Sequence, residues 1–141
     1  MNMYYQPTAE LMASAQLTYT NMRRYYEHYG VDWQQLKICE QISDLENWDV
    51  LLNGDVVGAM RLAFDDEGCY IRDLQVDAAF QNMGIGAAAI SECSRLAVHR
   101  GAMQLRLRVF KISPAHKLYT RSGFSIDKED DRFYYMSKSL V

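Results

Sequence analysis

Gln81-Asn82-Met83-Gly84-Ile85-Gly86 is a Q-x-x-G-x-G run that follows an extended segment ending at Val76 and opens a long helical pattern. Glycines two apart let the main chain turn tightly and come close to a ligand. The helix starting behind them offers unpaired N–H groups and the positive end of its dipole, a combination that binds phosphate. The elements on either side of this run decide the fold.

Upstream, Cys69–Val76 reads as a strand, preceded by the turn Asp65-Asp66-Glu67-Gly68. Before that turn, Trp48–Leu52 and Val56–Leu62 flank Asn53-Gly54, a strong type I′ hairpin pair. Nearer the N-terminus, Pro7-Thr8 predicts the start of a long helix, with Thr8 as cap and Glu10 in the first turn. Leu11, Ala15, Met22, Tyr25 and Tyr29 share one face of it before Gly30. A second, weaker helix is predicted over about Asp32–Ile42.

Downstream, Ile85, Ala89, Cys93, Leu96 and Ala97 recur at helical spacing until Gly101. Leu105–Val109 alternates with period two, Ser113-Pro114 opens another helix ending near Gly123, and Phe124–Ile126 and Phe133–Ser137 form a closing strand pair. The predicted fold is α/β, with an α+β mixed sheet. Two N-terminal helices precede an antiparallel meander, a helix crosses over to a parallel strand, and a further helix and two strands close the chain.

The chain has 141 residues, 49% hydrophobic and 12% aromatic, enough to bury a core as a single domain over 1–141. A net charge of −3, with Lys and Arg scattered, gives no basic footprint, so neither nucleic acid nor a membrane is expected as partner. Cys39, Cys69 and Cys93 are odd in number and far apart, which argues against a disulfide framework and a zinc site. His28, His99 and His116 show no ligand spacing, so no metal is expected. No leader-like opening and no run near 18 apolar residues is present, so a cytoplasmic address is expected.

Gly84-Ile85-Gly86 with Ala89 also satisfies the G-x-G-x-x-G/A fingerprint of dinucleotide-binding folds. The context does not fit. There the glycines come straight off the first strand and an acid lies about 20 residues on. Here Asp77–Met83 intervene, three strands come first, and the region around Arg106 is basic. A blander alternative is a helix start whose glycines merely permit close packing.

Two blocks, Val76-Asp-Ala-Ala-Phe-Gln81-Asn-Met-Gly84-Ile-Gly86 and Ser113-Pro-Ala115-His-Lys-Leu118-Tyr119-Thr-Arg-Ser-Gly123-Phe124, together resemble the GNAT superfamily of acetyl-CoA-dependent N-acetyltransferases. The resemblance covers roughly residues 46–141, a CoA-binding core. Residues 1–45 match only in kind, as the variable acceptor-side helices. It implies acetyl-CoA as co-substrate. The main chain of Leu74, Gln75 and Val76 would pair with the pantetheine arm, and the backbone of Gln81, Asn82, Met83, Gly84, Ile85, Gly86 and Ala87 would cradle the pyrophosphate. Lys111, Lys117 and Arg121 are candidates for the adenosine phosphate, or plain surface charges. Ile112 departs from the family, which often has an asparagine there.

The resemblance also implies direct attack by a primary amine of a small molecule or peptide. Tyr119 stands where the family has its general acid, with packing beneath Phe124 as the alternative. A backbone N–H near Val76 would polarise the thioester oxygen. The base is open: Tyr70 and Arg72 occupy the usual positions and neither is convincing. Asp73 beside them is either base, amine anchor, ion-pair partner or strand-end hydrogen-bond acceptor. Tyr25 and Tyr26, in an aromatic helical segment with Tyr29 and Trp33, and Tyr70 are candidates for binding the acceptor, against a core role for the helical aromatics. Cys69 and Cys93 lack a histidine partner, so no acyl-enzyme is expected. A CoA-binding sensor without turnover is the competing reading. Homodimerisation suits the superfamily, yet no residue specifies an interface.

Overall fold

The computed structural model describes residues 2–141. In chain order the elements are β1 (Met3–Pro7), α1 (Leu11–His28), α2 (Gln35–Ile42), β2 (Glu46–Leu52), β3 (Asp55–Asp65) and β4 (Gly68–Val76). A 3₁₀ turn follows at Ala78–Phe80, then α3 (Ile85–His99), β5 (Gln104–Phe110), α4 (Ala115–Arg121), β6 (Ser125–Glu129) and β7 (Phe133–Ser139). Strand order in the sheet is β1-β2-β3-β4-β5-β7-β6, with β4 parallel to β5 through Cys69–Leu105 and Tyr70–Arg106. Strand β7 pairs antiparallel with both β5 and β6. The mixed sheet and crossover predicted above are therefore present.

Strand β1 is an addition to the predicted order, and it corrects the expected helix start. Met3–Pro7 pairs antiparallel with β2, from Met3–Leu52 to Pro7–Trp48. Proline, lacking an N–H, suits such an edge. Thr8 N–H still donates to Asn47 O at 3.0 Å, so the residue continues the ladder, and its buried Oγ1 accepts no hydrogen bond from a helix start. Helix α1 instead starts after Glu10, which has extended dihedrals and makes no side-chain cap, and no acid stands in its first turn. The buried Asp49 of β2 takes the nearby Ala9 N–H at 3.2 Å.

The chain groups into two compact units. The first is the chain up to Arg61 together with Asp73–Gly86; the second is Leu62–Arg72 with Ala87–Val141. In the first, Ala15 of α1 packs with Ile38 and Ile42 of α2, flanked by Leu11, Tyr19, Tyr26, Trp33, Cys39 and Leu45. Each fully buried isoleucine contributes about 1.5–3 kcal/mol. Asn53 (φ 52°) and Gly54 (φ 91°) are both left-handed, as the type I′ hairpin requires. At Gly58 a Cβ would lie 2.5 Å from the Gln75 carbonyl oxygen, so β3 approaches β4 too closely for any side chain.

In the second unit Ile90, Cys93 and Ala97 of α3 are buried, as are Leu105, Leu107 and Val109 of β5 and Met136 of β7. The period-two reading of β5 holds because Arg106 and Arg108 alternate with those apolar residues. Arg106 is taken up by Asp65 at 2.7 Å and Glu67 at 3.1 Å. Helix α4 ends where the Phe124 N–H donates to Tyr119 O at 3.0 Å, with Gly123 at φ 98°.

Candidate active site

The seven residues between Val76 and Gly84 form a built turn. Asp77 Oδ1 accepts from Ala79 N–H at 2.9 Å and Phe80 N–H donates to Asp77 O at 2.8 Å, closing the 3₁₀ turn. Gln81 then leaves in extended conformation and its side-chain amide donates back to Val76 O at 3.0 Å. Asn82 (φ 62°) and Gly84 (φ 84°) are left-handed, with Met83 between them outside that region. Such alternation turns successive N–H groups to one side as an anion-binding concavity. Helix α3 begins at the next residue, Ile85.

The arrangement fits a phosphate. Gln81, Asn82, Met83 and Gly84 are exposed, Gly86 is half-buried and Ala87 exposed, while the Ile85 side chain is buried and leaves only its backbone. A Cβ at Gly84 would meet nothing within 4 Å, so the space beside the cradle is open.

At the strand end, Asp77 N–H donates to Val57 O at 2.8 Å. Alternation along the ladder therefore turns the main-chain groups of Leu74 and Val76 to the edge away from β3. This is the edge expected to pair with pantetheine, with one qualification: the Val76 carbonyl already accepts from Asn21 Nδ2 (2.9 Å) as well as Gln81. The Gln75 side chain is buried, its Oε1 accepting from Asn21 Nδ2 at 3.2 Å.

Asp73 faces a buried cation. Its Oδ2 lies 3.2 Å from Arg61 Nη1, the two side chains being 9% and 0% exposed. The guanidinium also donates to Thr18 Oγ1 (2.8 Å), Ser14 Oγ (2.6 Å) and Asn47 Oδ1 (2.9 Å). Strands β3 and β4 are thus tied to α1 by one charged group. Arg61 was not singled out from the sequence, although the signal was there: a lone cation in the apolar run Val56–Leu62 needs a buried anion, and Asp73 is the lone acid of β4. Asn21, a mid-helix amide, gave no such signal.

The candidate acceptor residues differ in their surroundings. Tyr26 packs on the Ala15–Ile38–Ile42 cluster and lies 6.1 Å from the Trp33 ring, and Tyr25 is buried with its hydroxyl taking a bond from Arg24 at 3.0 Å. In the second unit Tyr70 is half-buried with Arg106 over its ring at 5.7 Å. Tyr119 is buried and edge-on to Phe124, centroids 5.8 Å apart.

Lys111 is committed to Glu129 at 2.8 Å, whereas Lys117 and Arg121 are exposed. Ile112 is 47% exposed. Burial pushes the Cys93 thiol well above its usual range, with Cys69 and Glu92 adding to the shift, so it carries no thiolate at neutral pH. Among the described residues no His/Cys/Asp/Glu group could hold a metal, and no helix is long and apolar enough to cross a membrane.

A meander handed through a helix to a parallel strand, with a left-handed turn ahead of that helix, places the chain in the acetyltransferase fold class. The sequence matches the Acetyltransferase (GNAT) family model over residues 10–124, and the chain belongs to that family. Ard1 from Thermoplasma volcanium shares the fold at 18% identity, TM-score 0.80, over 100% of this chain and 99% of that one. The PaiA N-acetyltransferase from Thermoplasma acidophilum, solved with coenzyme A, gives 17% and 0.76 over 99% of each. The ribosomal-protein-S18-alanine N-acetyltransferase from Escherichia coli gives 16% and 0.73 over 99% and 94%. Among curated proteins, none matches the sequence.

Proposed function

We propose that the chain, as one acetyltransferase domain, is a cytoplasmic N-acetyltransferase that moves the acetyl group of acetyl-CoA to a primary amine of a small molecule or peptide. The observation that carries this reading is the open cradle Asn82–Gly84 in front of α3, at the end of strand β4, in a chain of this family. Acetyl-CoA supplies the acetyl group as an activated thioester. In the transfer the N–C bond forms, the C–S bond breaks, the amine loses a proton and the sulfur gains one.

The protein's part is to bind, orient and move those protons. Backbone N–H groups of Gln81 to Ala87 hold the pyrophosphate, and the outward edge of Leu74–Val76 aligns the arm. The Val76 N–H is the donor for the thioester oxygen. Tyr119 gives the sulfur its proton; a phenol near pKa 10 is a weaker acid than a thiol near 8.5, so placement carries the role. The buried Arg61 partner favours the ion-pair alternative for Asp73, and the amine proton then leaves through water. That route suits an amine of pKa near 8, about a tenth neutral at pH 7, better than one near 10.4, which is under about a thousandth neutral. The buried Cys93 thiol is not activated for an acyl-enzyme, which supports direct attack.

The packing of Tyr26 and the burial of Tyr25 support core roles for both, which leaves Tyr70 as the candidate to bind the acceptor. The committed Asp73 also favours one specific alternative, a CoA-binding sensor without turnover. Calorimetric titration with CoA, followed by CoA release from acetyl-CoA across an amine panel, separates the two. Binding with no release for any amine would leave only the sensor.

A further inference from the structure

Within the first unit, the peptide linking Val76 to Asp77 is held on both sides. Its carbonyl accepts from the amides of Asn21 at 2.9 Å and Gln81 at 3.0 Å, and its N–H donates to Val57 O at 2.8 Å. A carbonyl oxygen has two lone pairs, so this peptide has no capacity left to pair with anything else. Asn21 Nδ2 carries two hydrogens, and it also serves the buried Gln75 Oε1 at 3.2 Å. One side chain on α1 therefore fixes both residues that bracket the N–H of Val76. Gln81 ties the same oxygen to the start of the phosphate cradle.

Resting on the acetyl-CoA reading above, we infer that Asn21 is a positioning residue for acetyl transfer. By anchoring the last peptide of β4 to α1, it sets the direction of the Val76 N–H and couples that donor to the cradle through their shared oxygen. Direction matters here more than affinity. A donor aimed at a developing oxyanion acts only at about 2.7–3.1 Å, whereas the pyrophosphate is held by several N–H groups and tolerates a shift of one strand end. Loss of Asn21 should then show in turnover and hardly in CoA affinity.

The test compares wild type with Asn21→Leu, which removes both donated bonds at similar size, Asn21→Asp, which sets an acceptor against two oxygens, and Asn21→Gln, which restores an amide. CoA affinity is read by calorimetry, the melting temperature with CoA bound, and kcat and KM from CoA release with the amine identified in the panel. For Leu and Asp we expect kcat to fall about tenfold or more, one lost oriented hydrogen bond, with Kd for CoA within about threefold and kcat partly regained in Gln. A kcat within about twofold of wild type in both variants overturns the proposal. A fall that merely tracks lost CoA affinity or a lower melting temperature overturns it too, making Asn21 structural. If wild-type protein itself binds no CoA, the underlying reading fails, a result visible before any variant is made.

Discussion

Replacing Arg61 by methionine removes the guanidinium that lies 3.2 Å from the Asp73 carboxylate, a side chain 9% exposed. Asp73 would keep a buried carboxylate without this ion pair. Asn47 Oδ1 and Ser14 Oγ would lose the donors they have at 2.9 and 2.6 Å, while Thr18 keeps its own bond to Ser14 O at 3.3 Å. Breaking a buried pair in this way costs about 3–5 kcal/mol. At about 2–4 °C per kcal/mol for a chain of this size, the melting temperature should fall by roughly 6–20 °C. Urea unfolding followed by tryptophan fluorescence is the assay, since Trp33 and Trp48 both belong to the unit that holds the ion pair. The double variant Arg61→Met with Asp73→Leu should recover most of the loss, because an apolar pair of similar volume avoids desolvating two ions. A single-variant loss below about 1 kcal/mol, or strict additivity of the two changes, would refute the claim that the pair organises this unit.

Three further outcomes are expected. Gly84→Ala places a side chain at φ 84° in the mouth of the cradle. It should weaken CoA binding about 5- to 30-fold, on a strain of roughly 1–2 kcal/mol, and unchanged affinity by calorimetry would remove the cradle from the site. Tyr119→Phe should lower CoA release about 100-fold or more while CoA still binds; equal turnover would leave Tyr119 as packing alone. Asp130 is held down at about 2, first by the Tyr135 hydroxyl and then by the N–H groups of Arg132 and Phe133. A depressed folded-state pKa gives stability that is present above the ordinary value of 3.8 and is lost as pH falls toward 2. The deficit of Asp130→Asn relative to wild type should therefore shrink between pH 4 and pH 2 in thermal melts, and a constant deficit would contradict this.

Most of the fold was legible because its signals are local. Asn53-Gly54 requires left-handed dihedrals, Gly101 and Gly123 stop helices, and Arg106 and Arg108 alternate with buried residues along β5. Strand β1 was not legible, since five residues read as a strand only through their pairing with β2. The missed helix start at Leu11 has the same origin: Thr8 looks like a cap until the ladder claims its backbone. The turn ahead of α3 could be read because its glycines and the helix onset are contiguous. The Arg61–Asp73 pair and the Asn21 clasp join residues 12 and 55 positions apart, and a single sequence gives no distance between them.

The central claim is acetyl transfer, and CoA release from acetyl-CoA across a panel of primary amines tests it most directly, with mass spectrometry of the amine alongside. The account predicts thiol release matched by one acetyl group gained on at least one amine, with α-amines of pKa near 8 ahead of lysine-like ones. Tight CoA binding with no release for any amine would contradict it.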